Sequence, residues 1–74
     1  MNDSELFIKK VGERIKEIRK KKGLTQYIFA ELLGIEDSAL RRIENGRTNP
    51  TLKTLLKICD ELDIHISELL KIES

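Results

Sequence analysis

Residues 25–46 read TQYIFAELLGIEDSALRRIENG, and this stretch decides the fold that we predict. Thr25 is a residue type that caps helices, and Gly34 can adopt the left-handed conformation that ends them, so a short helix is predicted between the two. A second helix is expected over about residues 36–45, closed by Gly46. Two short helices joined through a glycine turn are the pattern of a helix-turn-helix.

A longer helix is predicted before this pair. Ser4 can cap it and Gly23 can end it, after three lysines that suit the negative end of the helix dipole. Gly12, in the middle, weakens this helix by up to about 1 kcal/mol relative to alanine, so it either permits close packing or marks a fray point. The apolar residues recur at the three-four spacing of one buried stripe: Ile8, Val11, Ile15 and Ile18.

Apolar residues of the other helices are assigned in the same way. In the helix after Thr25, one side carries Phe29, Leu32 and Leu33. A further helix, capped by Thr51, carries a stripe that we assign to the core: Leu52, Leu55, Leu56, Cys59 and Leu62. Cys59 is expected to be a small buried hydrophobe, because no basic neighbour in sequence favours its thiolate.

The C-terminal segment is unusually rich in large aliphatic residues: Ile64, Ile66, Leu69, Leu70 and Ile72. One short helix cannot easily hide all of them. Part of the set is expected to complete the core, and the remainder are candidate dimer contacts. Full burial within one monomer is the alternative.

Composition bounds the protein further. The 74 residues have room for one domain, residues 1–74. One cysteine and one histidine leave no internal disulfide, no zinc ligand set and no indicated cofactor. No apolar run approaches the roughly 20 residues of a membrane span, and no signal peptide is evident, so a cytoplasmic protein is expected. An enzyme is the weakest hypothesis, because no nucleophile-base pair or glycine-rich phosphate loop is present.

Charge is distributed unevenly along the chain. The net charge is +1. Residues 1–24 hold eight Lys/Arg and four Asp/Glu (net +4). Residues 25–48 hold three Lys/Arg and four Asp/Glu (net −1), and residues 49–74 hold three Lys/Arg and five Asp/Glu (net −2). A basic N-terminal third is compatible with one face meeting phosphates, although a solvated helix end is the simpler interpretation.

The helix predicted over residues 36–45 has two faces. At about 100° per residue, the inner side carries Glu36, Leu40, Ile43 and Glu44, and the outer side carries Ser38, Arg41, Arg42 and Asn45. The outer groups can hydrogen-bond base edges and phosphates, and arginine matches the two acceptors of guanine. An ordinary solvated face is the alternative for an isolated helix, but the helix-turn-helix context favours a helix that enters the major groove.

The chain resembles the Cro/C1-type (XRE-like) helix-turn-helix family of small bacterial and phage transcriptional regulators. The resemblance is carried by GERIKEIRKKKGLTQ at 12–26, FAELLGI at 29–35, RRIENGRTNPTLKTLLKI at 41–58 and ISELL at 66–70. It implies an all-α, compact five-helix, lambda-repressor-like DNA-binding domain, with a helix-turn-helix core at about 25–46. The aliphatic residues near the C-terminus suggest a dimerisation segment at about 62–74. Such a protein would be a repressor or controller that binds a palindromic operator in double-stranded DNA as a homodimer, with no membrane partner and no evident small-molecule effector.

The resemblance also implies roles for single residues. Gln26 would contact a phosphate and support the recognition helix. Base contacts would come from Asp37, Ser38 and Arg42, flanked by Arg41. Asn45 and Arg47 would reach the DNA backbone just after the helix. Arg19 and Glu44 would form a structural salt bridge, and His65 stands where the family usually caps its last helix.

Two acidic residues depart from the family pattern. Glu36 replaces the usual Ser or Thr cap, and Asp37 follows it, so two negative charges lie where the helix would approach a polyanion. Either one accepts a hydrogen bond from a cytosine amino group, or both stabilise the helix N-terminus. The acids and the near-neutral net charge also support an alternative function: a protein-interaction module of the same fold, such as an antitoxin component.

Overall fold

The computed structural model describes residues 3–72, and every regular element in that range is an α-helix. The elements are α1 (Asp3–Lys21), α2 (Gln26–Leu33), α3 (Asp37–Glu44), α4 (Leu52–Leu62) and α5 (Ile66–Leu69). The predicted all-α fold of five helices is therefore confirmed. Residues 73 and 74, at the end of the predicted dimerisation segment, lie outside the described residues.

Side-chain caps begin three of these helices. The hydroxyl of Thr25 accepts a hydrogen bond from the Ile28 amide at 3.1 Å, and Thr51 does the same for Thr54 at 3.1 Å. His65 Nδ1 accepts from the Ser67 amide at 3.1 Å, so the single histidine is a cap. Ser4, however, is not a cap, because α1 already includes Asp3 and Ser4 therefore lies inside the helix.

The core is formed by one or more residues from every helix. It consists of Val11, Ile15 and Ile18 from α1, Phe29, Ala30 and Leu33 from α2, Leu40 and Ile43 from α3, Ile58, Cys59 and Leu62 from α4, and Leu69 from α5. Ile8, the first residue of the predicted α1 stripe, is half-buried.

Two helices bury a partly different set of apolar residues from the one predicted, although Phe29, Leu33, Cys59 and Leu62 are buried as expected. In α2, Ala30 is buried, whereas Leu32 is 48% exposed. In α4, Ile58 is buried, whereas Leu52 and Leu56 are 63% and 45% exposed, so their assignment to the core was wrong. Both helices carry more apolar residues than one buried stripe can hold, and the neighbouring helices decide which of them are covered.

Gly12 permits close packing of α1 on α3. A Cβ atom at this position would collide with the carbonyl oxygen of Ile43 and lie 2.8 Å from that of Glu44. No real side chain tolerates such contacts with a backbone. The glycine therefore lets the middle of α1 lie directly against the C-terminal end of α3, and close packing is the correct one of the two alternatives.

The C-terminal aliphatic residues are divided between the core and its edge. Leu69 has no exposed surface, so it cannot contact a second copy, and its selection as a dimer contact was wrong. The other four pack partly buried against the core: Ile64, Ile66, Leu70 and Ile72. Among the described residues, no helix has the length and apolarity needed to cross a bilayer.

Candidate nucleic-acid interface

Helix α3 packs against α1 and α2 and turns its polar side outward. Leu40, Ile43 and Glu44 are buried, while Arg41 and Arg42 are exposed. Ser38 is half-buried, and Asn45 is exposed at the helix end. The surface of α3 therefore presents two guanidinium groups, a hydroxyl and an amide, which are hydrogen-bonding groups suited to base edges and phosphates.

The two acidic residues at the start of α3 have different surroundings. Glu36 is the N-cap residue, yet its side chain makes no capping hydrogen bond, and it is exposed rather than turned inward as the rotation count predicted. It departs from that prediction because it precedes the helix and does not follow the helical rotation. Asp37 lies in the first turn, with its Oδ2 4.0 Å from Nη2 of Arg41, one turn later. Asp37 thus has the guanidinium group of Arg41 beside it on the same face of the helix.

A buried ion pair joins α1 to the end of α3. Arg19 Nε donates to Glu44 Oε2 at 2.7 Å, and Arg19 Nη2 donates to Glu44 Oε1 at 3.1 Å. The third donor, Nη1, reaches the carbonyl oxygen of Leu24 at 2.7 Å, in the loop before α2. Arg19 and Glu44 are 5% and 2% exposed, and the described residues contain no buried side-chain nitrogen or oxygen without a hydrogen-bond partner.

Gln26 extends this buried pair to the start of α2. Its Nε2 donates to Glu44 Oε1 at 3.0 Å, and the residue is half-buried. Gln26 is the first residue of α2, at the positive end of the helix dipole, where first-turn amides can meet an anion. Through Glu44, which bonds both Arg19 and Gln26, the buried pair therefore fixes the position of the start of α2 relative to the end of α3.

The segment after α3 lies beside the first half of α1, and this brings in a residue that the sequence did not single out. Gly46 has a φ of +70°, and a Cβ atom there would lie 2.7 Å from Cα of Lys9. Exposed Lys9 therefore lines the same groove as Asn45 and Arg47. In the sequence, its only signal was membership of the basic N-terminal third.

Nothing in the described part of the chain resembles a metal centre: residues 3–72 contain no group of three or more His, Cys, Asp or Glu side chains arranged to hold an ion. The cysteine is buried. Burial raises the pKa of the Cys59 thiol, and the carboxylates of Asp60 and Glu68 raise it further. The thiol is therefore held in its protonated, less reactive form.

Comparison with known proteins matches this arrangement to a family. A family model described as "Helix-turn-helix" matches residues 15–69, from the second half of α1 to the end of α5. The chain belongs to the Cro/C1-type helix-turn-helix family. The family resemblance inferred from the sequence is confirmed, and the residues of the buried Arg19–Glu44 pair and of the outer face of α3 all fall inside the matched range.

Individual relatives are similar to this chain in sequence, and two of them are also similar in fold. The immunity repressor protein of Bacillus phage phi105 is 46% identical over 57 residues, which are 77% of this chain and 40% of the repressor. The restriction-modification controller protein C.AhdI from Aeromonas hydrophila superposes with a TM-score of 0.80 at 39% identity, covering 84% of this chain and 94% of that one. The biofilm regulator SinR, solved in complex with DNA, superposes with a TM-score of 0.75 at 40% identity. The superposition covers 82% of this chain and 98% of the SinR chain.

The chain is shorter than many of its curated relatives. It spans between 31% and 56% of the length of several that it matches.

Proposed function

We propose that this chain is a sequence-specific double-stranded-DNA-binding transcriptional regulator, a repressor or controller protein, with no catalytic role. One observation carries the proposal: α3 is held by its buried side, so that Arg42, Arg41 and Ser38 face outward from a helix-turn-helix. Relatives at 39–46% identity are described as an immunity repressor, a restriction-modification controller and a regulator solved with DNA.

In the proposed complex, α3 lies in the major groove. Ser38 and Arg42 meet base edges, since side chains on the outer face of a recognition helix are the ones that reach the groove floor. Gln26 binds a phosphate at the N-terminus of α2. Asn45, Arg47 and Lys9 bind the backbone beyond the other end of α3. Phosphate contacts on both sides of the helix set its orientation, and base contacts set the sequence that it reads.

A homodimer on a palindromic site is part of the proposal. The described chain is 32 Å in its longest dimension, which is close to the roughly 34 Å between half-sites one DNA turn apart. This length is compatible with two copies that each meet one half-site.

Apolar side chains at several places on the surface are available for the contact between copies. Phe7, 42% exposed, lines a cleft of about 70 Å³ together with Leu55 and Leu70. Exposed Leu52 and Leu56 lie on α4, and Ile72 lies beside Leu6 and Phe7 in a second shallow cleft. In this proposal, these residues take the place of buried Leu69 in the dimer contact, alongside Leu70 and Ile72.

The proposal is tested by selecting bound sequences from a random duplex library with the full chain. We expect enrichment of a palindrome whose half-sites are about one helical turn apart, and affinity that falls steeply as salt rises. Enrichment of no sequence would reject sequence-specific DNA binding. Enrichment of single half-sites without a palindrome would reject the dimeric mode alone.

A protein-interaction module remains the second candidate, and the outer surface of α2 favours it. Tyr27, Ile28 and Leu32 are all exposed on this short helix. The relative SinR has also been solved as a complex with the protein SinI. Recovery of a partner whose binding is lost in Ile28→Glu, with no sequence enriched from the duplex library, would decide for this function.

A further inference from the structure

The outer face of α3 carries an acid and a base one turn apart, Asp37 and Arg41. Their closest charged atoms are 4.0 Å apart, and the side chains are 49% and 56% exposed. A negative charge in this position would ordinarily oppose the approach of a polyanion, because like charges repel strongly where water is excluded. Here, the carboxylate has a cation beside it before any DNA arrives.

The helix itself adds a second compensation. Asp37 is the first residue of α3, where the helix dipole contributes roughly half a positive charge. Glu36, in contrast, precedes the helix and its side chain makes no capping hydrogen bond, although both acids line one groove with Tyr27 and Glu31. Of the two acids, only Asp37 therefore combines local charge compensation with a place on the face that carries Arg41.

A compensated carboxylate in the major groove can select bases. Ionised carboxylates only accept hydrogen bonds, and the major-groove edges that donate are the amino groups of cytosine N4 and adenine N6. Guanine O6 and thymine O4 are themselves acceptors, so they repel the carboxylate.

From this arrangement, and resting on the proposed DNA-binding function, we propose that Asp37 selects an amino-bearing base in each half-site and that Arg41 acts as its counterion. In this role, Arg41 reads no base itself. It screens the carboxylate of Asp37 from the phosphates and donates to the nearest backbone, so the acid contributes discrimination without repelling the duplex.

The experiment is library selection with wild type, Asp37→Ala, Arg41→Gln and the double variant, with Glu36→Gln as the matched loss of a neighbouring negative charge. Wild type should enrich cytosine or adenine at one position per half-site, and Asp37→Ala should lose roughly tenfold discrimination at that position alone. Glu36→Gln should leave every base preference unchanged. Thermal unfolding of each variant establishes that it folds.

Arg41 is tested by the same set. Arg41→Gln should keep the base preference and weaken binding to all sequences, and this loss should be several-fold smaller in the Asp37→Ala background, where no carboxylate needs a counterion.

Three outcomes would overturn the inference. Unchanged base preferences in Asp37→Ala, while wild type still selects a palindrome, would overturn it and leave the proposed function standing. Equal losses from Arg41→Gln in both backgrounds would overturn the counterion role. Wild type that selects no sequence would overturn the proposed function together with this inference.

Discussion

Gln26 and Glu44, at opposite ends of the helix-turn-helix, are joined by a hydrogen bond of 3.0 Å from Gln26 Nε2 to Glu44 Oε1. Because the same carboxylate also accepts two hydrogen bonds from Arg19, the start of α2 and the end of α3 are attached to one buried point. In the proposed complex, these two places bind phosphates on either side of the recognition helix. Arg19 and Glu44 would therefore set the spacing between the phosphate contacts without touching DNA.

Loss of one member of the buried pair should destabilise the fold severely. Arg19→Met leaves the Glu44 carboxylate buried without its cation, which costs about 3–5 kcal/mol of unfolding free energy, measured by urea denaturation. The exposed pair Glu17–Lys21, at 3.6 Å, is the matched control, and Glu17→Gln should change stability by less than about 0.5 kcal/mol. If both variants lost a similar amount of unfolding free energy, burial would not be what makes the Arg19–Glu44 pair matter for stability.

Replacement of Gly12 by alanine should destabilise the protein, although alanine favours helices. The added methyl group would meet the Ile43 and Glu44 carbonyl oxygens, and overpacking of this kind costs about 1–3 kcal/mol, more than the gain of up to about 1 kcal/mol in helix propensity. Chemical denaturation of Gly12→Ala measures the sign of the change. Glu13→Ala, at the next and exposed position of α1, is the control and should change stability by less than about 0.5 kcal/mol. A more stable Gly12→Ala would show that α1 and α3 do not approach closely at this point.

Replacement of Arg42 and replacement of Arg47 should weaken DNA binding in different ways. Arg42→Ala removes a base contact and should cost about 1–3 kcal/mol on the selected site while barely changing non-specific binding. Arg47→Ala removes a backbone contact, so it should weaken binding to all sequences alike and reduce the salt slope by about one. Titration of both variants on specific and random duplexes at several salt concentrations makes the comparison. Equal losses on both duplexes for Arg42→Ala would reject its base-reading role.

Self-association should depend on Leu56, one of the exposed apolar residues that we propose for the dimer contact. Leu56→Glu introduces a charge at a side chain that is 45% exposed, so it should fold normally and dissociate the proposed dimer, as measured by sedimentation at about 50 μM with and without operator DNA. Leu32→Glu, at an exposed position of α2, is the matched control and should leave the dimer intact. Wild type that sediments only as a monomer under both conditions would contradict the dimer.

The free energy of unfolding should decrease in mild alkali, because the Cys59 thiol of the unfolded chain ionises there. Because the pKa of this thiol is raised in the folded protein, the folded state keeps its proton to higher pH than the unfolded chain does. The contribution is complete at a pH where the unfolded chain also keeps the thiol proton, and it is lost as pH rises through the range in which a free thiol ionises. Urea denaturation at pH 7 and pH 9.5 should show a smaller alkaline loss in Cys59→Ala than in wild type. Identical losses would mean that the thiol has the same pKa in both states.

Local chemistry was readable from the sequence because it acts over a few residues. Thr25 and Thr51 cap helices through hydrogen bonds to amides three positions later, and Gly34 ends α2 with a φ of +72°. The periodicity of α3 also placed Leu40, Ile43 and Glu44 inside and both arginines outside. These features depend on the chain's own geometry and need no knowledge of neighbouring helices.

Tertiary structure decided the features that depend on which surfaces meet. Leu52 and Leu56 have the same spacing and hydrophobicity as buried residues, and only the position of the neighbouring helices leaves them exposed. The contact of Lys9 with Gly46 joins residues 37 positions apart, and the Gln26–Glu44 bond spans 18. The sequence by itself thus determined where α2 and α4 begin, where α2 ends and which side of α3 faces outward, but it misplaced the start of α1. The packed structure alone decided which apolar side chains are covered and which polar groups meet, because both depend on contacts between segments distant in the chain.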